Sequence, residues 1–280
     1  MKIFAKIRDI KAALAQERAN KKSVGFVPTM GALHAGHISL VEKARKENGT
    51  VATSIFVNPT QFNNPEDLKK YPRNLEKDSE MLKSAKNDIV FNPEAEEMYP
   101  ANEAEEYFNF EGLDTVMEGK FRPGHFQGVA RVVAKLFRIV EPDRVYFGDK
   151  DYQQLLIIRK ILGKLFPKIT IVSCPTVREK DGLAMSSRNA LLDEATRAEA
   201  PLIFKTLLKV KEMKNAASIA ELKKMVVDNI NSSSTLRVEY FEIADENNLV
   251  PLSEINKNAR AFIAVQAGKV RLIDNLSLNF

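Results

Sequence analysis

The chain has only three histidines, and two of them, His34 and His37, lie three apart in the stretch Met30-Gly31-Ala32-Leu33-His34-Ala35-Gly36-His37. An apolar run from Val24 to Val27 ends at Pro28, and apolar residues resume at helical spacing at Ile38, Leu40, Val41 and Ala44. The two imidazoles therefore flank a helix N-terminus that follows a strand. Backbone N–H groups and the positive end of the helix dipole favour an anion there, and Gly36, lacking a side chain, lets a phosphate come close. His34 and His37 would donate from the side, which makes a nucleotide phosphate the expected ligand.

Other readings of the same turn are tested by what it lacks. The spacing Gly31-x4-Gly36-His37 imitates a Walker A loop, but histidine stands in place of lysine and no Ser or Thr follows for magnesium, so a standard P-loop is excluded. No Gly-x-Gly-x-x-Gly follows the strand, which removes support for a dinucleotide fold of the usual kind. Surface histidines at a helix start, or half of a metal site, remain as alternatives. Zinc is disfavoured, because the only cysteine is Cys174 and no Glu stands between the histidines.

Further chemical positions follow along the chain. Gly148-Asp149-Lys150-Asp151 closes a strand and opens a helix, which puts Lys150 where a phosphate would lie; an aspartate cap beside a surface lysine is the plain alternative. Met185-Ser186-Ser187-Arg188 gathers two hydroxyls and a guanidinium suited to forked bonding of phosphate oxygens, against the alternative of a serine helix cap with a solvated arginine. The polar, glycine-containing run from Arg178 to Arg188 is expected to be a mobile lid. Gln61 and Gln154 are neutral amides able to orient a hydroxy acid without an ion pair that would hold down its carboxylate. His125, in Arg122-Pro123-Gly124-His125-Phe126, lies in a glycine-containing turn and reads as structural.

Positioning these groups requires an ordered scaffold. Strand-like runs at 24–27, 51–57, 89–91, 145–147 and 169–172 alternate with helical patterns at 38–46, 75–84, 129–140 and 152–165. That alternation predicts an α/β, Rossmann-like parallel sheet covered on both faces. Ligands of such sheets sit beyond the carboxyl ends of the strands, where the histidine turn, Asn58 to Phe62 and Gly148 to Asp151 all fall. After residue 176 the pattern changes to helices at 195–214 and 219–230 and strands at 238–243, 261–265 and 270–273, the last two joined by a Gly268-Lys269 turn. Two domains are expected, 1–176 Rossmann-like and 177–280 smaller and α+β.

Composition narrows the class of protein. Of 280 residues 44% are apolar and 28% charged, ordinary values for a globular chain. The formal charge of +5, from 42 basic and 37 acidic residues, would suit small anions as well as RNA, and lysines spread along helix surfaces explain it without any ligand; the lack of a long like-charge run, a basic cluster or any tryptophan argues against nucleic acid as partner. One cysteine excludes an intrachain disulfide and fits a reducing compartment. No apolar run approaches the roughly 20 residues that cross a bilayer, and the N-terminus lacks a signal-peptide core. A cytoplasmic enzyme without a membrane partner is expected.

Taken in order, Pro28 to His37, Phe56-Val57-Asn58-Pro59-Thr60-Gln61-Phe62, Tyr71-Pro72-Arg73, Gly124-His125-Phe126, Phe147 to Gln154 and Met185-Ser186-Ser187-Arg188 closely resemble the pantothenate synthetases, through nearly the whole chain. The histidine turn alone would indicate only the nucleotidyltransferase superfamily; the glutamine and lysine blocks are more specific. The resemblance implies a ligase that converts ATP and (R)-pantoate to pantoyl adenylate and pyrophosphate, then β-alanine and adenylate to pantothenate and AMP. It assigns ATP to Met30, Gly31, Ala32, Leu33, His34, Ala35, Gly36, His37, Gly148, Asp149, Lys150, Asp151, Val177, Met185, Ser186, Ser187 and Arg188. Within that set His34, His37, Lys150 and Arg188 would supply catalytic charge. Gln61 and Gln154 would hold pantoate, with Val129 and Val133 facing its geminal methyls. Mg²⁺ and a homodimer are also implied. Asp149 replaces the Glu of many relatives, and Glu76-Lys77-Asp78 is less acidic than the cluster some relatives carry, so no magnesium ligand is assigned. The alternative is another nucleotidyltransferase with the same turn acting on a different small acid.

Overall fold

Val24–Thr29 and Thr50–Ile55 are buried along almost their whole length, as strands covered on both faces must be. In the computed structural model, which describes residues 1–279, they form the middle of a parallel sheet. Its strands are β1 (Lys2–Phe4), β2 (Val24–Thr29), β3 (Thr50–Ile55), β4 (Ile89–Phe91), β5 (Arg144–Gly148) and β6 (Thr170–Cys174), in the order β1-β4-β3-β2-β5-β6. The longer helices of this part are α1 (Ile7–Ala19), α2 (Ala35–Glu47), α3 (Leu75–Ser84) and α4 (His125–Val140). From β2 the chain builds outward through β3 to β4, then returns to the other side of β2 with β5, where Gly25 pairs with Arg144 and Phe26 with Val145. The strand order thus reverses between β2 and β5, the place where open α/β sheets bind ligands.

The α/β expectation is met, with informative differences at the ends of elements. β3 stops at Ile55, short of the expected Val57, because Asn58 caps a 3₁₀ turn at Pro59–Gln61 and proline has no N–H for a ladder. α4 starts at His125, one turn before Val129, behind Gly124 at φ +79°. The expected helix over 152–165 is α-helical at Tyr152–Ile157, π-helical at Ile158–Leu162 and α-helical again at Gly163–Leu165. The sequence pattern leaves α1, β1 and the short helices Pro65–Lys70, Ala95–Met98 and Met117–Phe121 unassigned. α1 shows Ile10 and Leu14 one turn apart and fully buried, a readable signal; β1 has three residues, too few for any period.

The chain divides into two compact units, the first Met1–Asp114, Glu118–Asp149 and Gln154–Pro175, the second Thr115–Met117, Lys150–Gln153 and the residues from Thr176 on. Lys150–Gln153 therefore groups with the second unit, although it precedes residue 177. In that unit β7 (Leu236–Asp245), β8 (Ala259–Ala267) and β9 (Val270–Ser277) make an antiparallel sheet, with the β8–β9 hairpin turning at Gly268 and Lys269 as expected. Leu207, Val210, Leu222, Val226 and Ile230 of two helices, Leu202–Met213 and Ile219–Asn231, form its core with Ile243, Ile263 and Val265 of the strands. The single helix expected over 195–214 is broken: Glu194–Glu199 ends before Pro201, which offers no N–H to continue the ladder. No helix among the described residues is long and apolar enough to cross a membrane.

Candidate active site

At the carboxyl end of β2 the chain makes a turn in which the N–H groups of Gly31, Ala32, Leu33 and His34 are each directed to a side-chain acceptor. Thr29 Oγ1 accepts from Gly31 N–H at 3.2 Å and donates to the Ser54 carbonyl at 2.6 Å. Gly31 and Ala32 are both left-handed, at φ +79° and +50°. Asp78, reaching in from α3, accepts from Ala32 N–H at 2.9 Å through Oδ2 and from Leu33 N–H at 2.8 Å through Oδ1. It is 2% exposed. Burial pushes its carboxyl above the ordinary carboxylate value, against the two N–H groups that pull it down.

His34 and His37 then form a reciprocal cap on α2. His34 Nδ1 accepts from Gly36 N–H at 3.1 Å, and His37 Nδ1 accepts from His34 N–H at 3.3 Å. A ring that accepts at Nδ1 carries its proton at Nε2 when neutral, so both histidines present Nε2–H donors. Their centroids are 4.1 Å apart. The histidine turn is thus a helix N-terminus, as expected from sequence. A cavity of about 400 Å³ beside it is lined in part by Met30, Gly31, Val57, Pro59, Arg73 and Asp78.

The next strand supplies the amide. Asn58, 1% exposed and capping the 3₁₀ turn that follows β3, accepts at Oδ1 from Thr60 N–H, Thr60 Oγ1 and Tyr99 Oη. Its Nδ2 donates to Gln61 Oε1 at 3.0 Å and to the Gly128 carbonyl at 3.1 Å. Gln61 Oε1 is thereby fixed, and Nε2 points to Met30 Sδ at 2.9 Å. A thioether is a weak acceptor, so a carboxylate or hydroxyl placed there would take the donor over. Gly128 lets α4 reach this turn, since a Cβ on it would lie 2.2 Å from the Thr60 carbonyl oxygen.

His125 holds the same turn from below. Its Nδ1 donates to the Gln61 carbonyl at 2.8 Å, because a carbonyl only accepts, and Arg122 donates to its Nε2 at 3.2 Å. Arg122 also donates to the Gln61 carbonyl at 3.3 Å. These contacts place His125 behind the amide. Val129 and Val133 follow one turn and two turns later on α4, both buried. Gln154 is half-buried, while its neighbour Gln153 is buried and donates to the Val116 carbonyl at 3.0 Å. Beyond β5, Asp149 accepts from Ser173 Oγ of β6.

In the second unit, Lys150 Nζ lies 3.1 Å from Asp151 Oδ1. The stretch expected to be a mobile lid begins with a hydrogen-bonded hairpin. Arg178 bridges to Ala184, Glu179 N–H donates to Leu183 and Met185 N–H to Val177, with Gly182 at φ +95° in the turn. Arg178 donates twice to Asp274, at 2.6 and 3.0 Å, and lies 3.6 Å above the Phe204 ring. Beyond the hairpin Ser186 Oγ accepts from Arg188 N–H at 3.2 Å, so the serine caps the short 3₁₀ helix Ser187–Leu191 that contains Arg188.

Sequence reasoning assigned no part to Asp78 or Asn58. Asp78 stood inside a charged run, and its partners are backbone groups 45 and 46 residues earlier. Asn58 before Pro59 carried a readable cap signal.

Comparison with known proteins yields a consistent set. The pattern of the Pantoate-beta-alanine ligase family matches residues 2–277. A pantothenate synthetase of Bacteroides thetaiotaomicron is 50% identical over 278 residues, covering 99% of this chain and 98% of the relative. The crystal structure of pantothenate synthetase from Thermus thermophilus superposes with a TM-score of 0.94 at 44% identity, covering all of both chains. That of pantoate-beta-alanine ligase from Francisella tularensis, complexed with beta-gamma ATP and beta-alanine, gives 0.84 at 38% identity over 99% of this chain and 98% of the other.

Proposed function

The chain belongs to the pantoate–β-alanine ligase family, and from that premise we propose that it condenses pantoate with β-alanine in two steps driven by ATP. The observation that carries this reading is the reciprocal His34–His37 cap at the strand-order reversal, beside an amide already oriented by Asn58. In the first step a pantoate carboxylate oxygen attacks the α-phosphorus of ATP. The new O–P bond forms pantoyl adenylate as the bond to the β-phosphate oxygen breaks and pyrophosphate leaves. A carboxylate needs no base for this, so the demand is for alignment and charge stabilisation. Nε2–H of His34 and His37, with Lys150 and Arg188, meets it, and Gly148 to Asp151, Val177 and Met185 to Ser187 complete the nucleotide contacts.

Gln61 and Gln154 hold pantoate without neutralising its nucleophile, and Val129 and Val133 pack against its geminal methyls. In the second step the amine of β-alanine attacks the acyl carbon; the C–N bond forms, the C–O bond to AMP breaks and the amine gives up a proton. Water must be kept from the mixed anhydride meanwhile.

The residues do not make a resident magnesium site. Among the described residues no group of three or more His, Cys, Asp or Glu could hold a metal ion, and both oxygens of Asp78 are engaged by backbone N–H groups. Magnesium enters on the phosphates of ATP, as part of the substrate. A cytoplasmic homodimer fits the reading, and sedimentation velocity tests the dimer. The decisive experiment is pantoate-dependent exchange of labelled pyrophosphate into ATP without β-alanine. Exchange is expected with pantoate and absent with simple hydroxy acids lacking the geminal methyls; exchange driven equally by such acids would favour a different acid as substrate.

A further inference from the structure

We infer that Asp78 is a positioning residue for the phosphate-facing turn: its carboxylate grips the N–H groups of Ala32 and Leu33 and thereby sets where the His34–His37 pair begins. The consequence for rate rests on the adenylation reading above, while the geometry stands without it.

A carboxylate withdrawn from water needs donors, and Asp78, 2% exposed, finds them in the backbone of the turn. Its donors are two consecutive N–H groups, one to each oxygen, so side chain and turn satisfy each other. The turn needs the grip as much as the carboxylate does. Ala32 sits at φ +50°, a region that side chains beyond glycine rarely adopt and that persists only where surroundings enforce it. Gly31 fits because a Cβ on it would approach Asp78 Oδ2 at 3.0 Å and Ile55 Cγ2 at 3.1 Å. Thr29 fixes Gly31 N–H from the sheet side, so three successive N–H groups have assigned directions before the chain reaches His34. Leu33 is itself buried, leaving no slack between the gripped N–H and the first imidazole.

An amide in place of the carboxylate can accept from only one of the two N–H groups, and its NH₂ would oppose the other. Loosening at Ala32 and Leu33 would then reach the His34–His37 cap, and donors placed for a transition state lose effect when shifted by fractions of an ångström. A divalent-metal ligand at Asp78 would have to surrender one of these bonds, which separates the two roles experimentally.

The test uses the full chain with Asp78→Asn, alone and combined with Ala32→Gly, which removes the left-handed penalty the carboxylate offsets. We expect Asp78→Asn to lower kcat for pantoate-dependent pyrophosphate exchange by roughly 10- to 100-fold while the pantoate KM changes less than about threefold. Nitrogen-15 spectra of the His34 and His37 rings should lose their Nε2–H tautomer signature in the same variant. Adding Ala32→Gly should recover at least about threefold of the lost rate. In the unaltered chain, amide exchange at Ala32 and Leu33 should be slow; this measurement decides the matter even if the variant does not fold. Unchanged kcat and tautomers overturn the inference. So does fast exchange at both amides, a loss that Ala32→Gly leaves untouched, or a loss cured by added magnesium with tautomers intact. Absence of exchange activity in the unaltered protein would sink the adenylation reading instead, and the ring spectra would still judge Asp78.

Discussion

Asp78 in the first unit and Glu199 in the second each hold a turn with a carboxylate, Asp78 by accepting from two backbone N–H groups and Glu199 from hydroxyls and one N–H, but in different surroundings. Asp78 is buried and its carboxyl is pushed up. Glu199 accepts from Ser233 Oγ, from Thr235 Oγ1 at 2.6 Å and from Thr235 N–H at 3.1 Å, and these donors pull its carboxyl from 4.5 down to about 2. The first clamp holds the turn that leads to the residues proposed to handle phosphate; the second joins a helix end to the start of β7 and bonds to no residue proposed for catalysis. On the proposed function, similar bonding would serve chemistry in one unit and stability in the other. Changes in the first unit's turn should move rates with modest loss of stability, and changes to the second unit's clamps should move melting temperature.

The largest effect is expected at His37. His37→Ala removes a placed Nε2–H donor and should slow adenylation by roughly 10²- to 10⁴-fold. It also removes half of the α2 cap, which costs only about 1 kcal/mol. A large rate loss with a small melting shift supports the division; a collapse of melting temperature with near-normal specific activity breaks it.

Arg178→Ala probes the other side. It strips the buried Asp274 of both guanidinium donors, leaving it the Asn275 N–H on Oδ1, and the Phe204 ring of its cation. Removing one partner of such a pair costs about 3–5 kcal/mol, which corresponds to a melting shift on the order of 10 °C. Calorimetry measures it. Arg178→Lys should recover little, because the ammonium lacks both the fork and the stacking plane. If melting is unmoved, the hairpin does not depend on that anchor.

Gln61→Glu sharpens the account of the first unit. A second carboxylate opposite the substrate's own should raise the pantoate KM by roughly tenfold or more, with the ATP KM changed less than about threefold. Steady-state titration of both substrates reads the split, and equal shifts would mean the amide does not discriminate the acid.

The strands and helices that carry these groups were readable because burial leaves an imprint on sequence: β4 and α3 match their expected limits at Ile89–Phe91 and Leu75–Ser84. The histidine turn was readable because glycine and histidine are scarce here and sit where strand passes to helix. Asp78 was not, since side-chain bonds to distant backbone leave no periodic trace. The pairing within 178–185 was not legible for a related reason: Arg178 is anchored by Asp274, 96 residues later, a partner that its own sequence neighbourhood does not announce. Pro201 is different. Its effect on the helix was local and open to inspection, and helical periodicity on either side masked it.

The smallest effect is expected at Glu199, and its sign follows from the depressed carboxyl. A carboxylate held below its ordinary value stabilises the folded chain wherever it is ionised in both states, that is above about pH 4.5, and the contribution fades as the pH falls toward 2. Glu199→Gln keeps the size and one acceptor but loses the charge-assisted bonds to Ser233 and Thr235. The melting temperature of this variant should therefore lie below that of the unaltered chain at neutral pH, and the gap should close as both are taken from pH 5 toward pH 3. The donors are hydroxyls and an amide rather than a cation, so high salt should leave the gap in place, unlike that of a surface ion pair such as Lys43–Glu47. Pyrophosphate exchange by Glu199→Gln should be unchanged at neutral pH. A gap that salt abolishes would point to a long-range charge effect, and a gap constant down to pH 3 would mean that Glu199 is not clamped by these donors in solution.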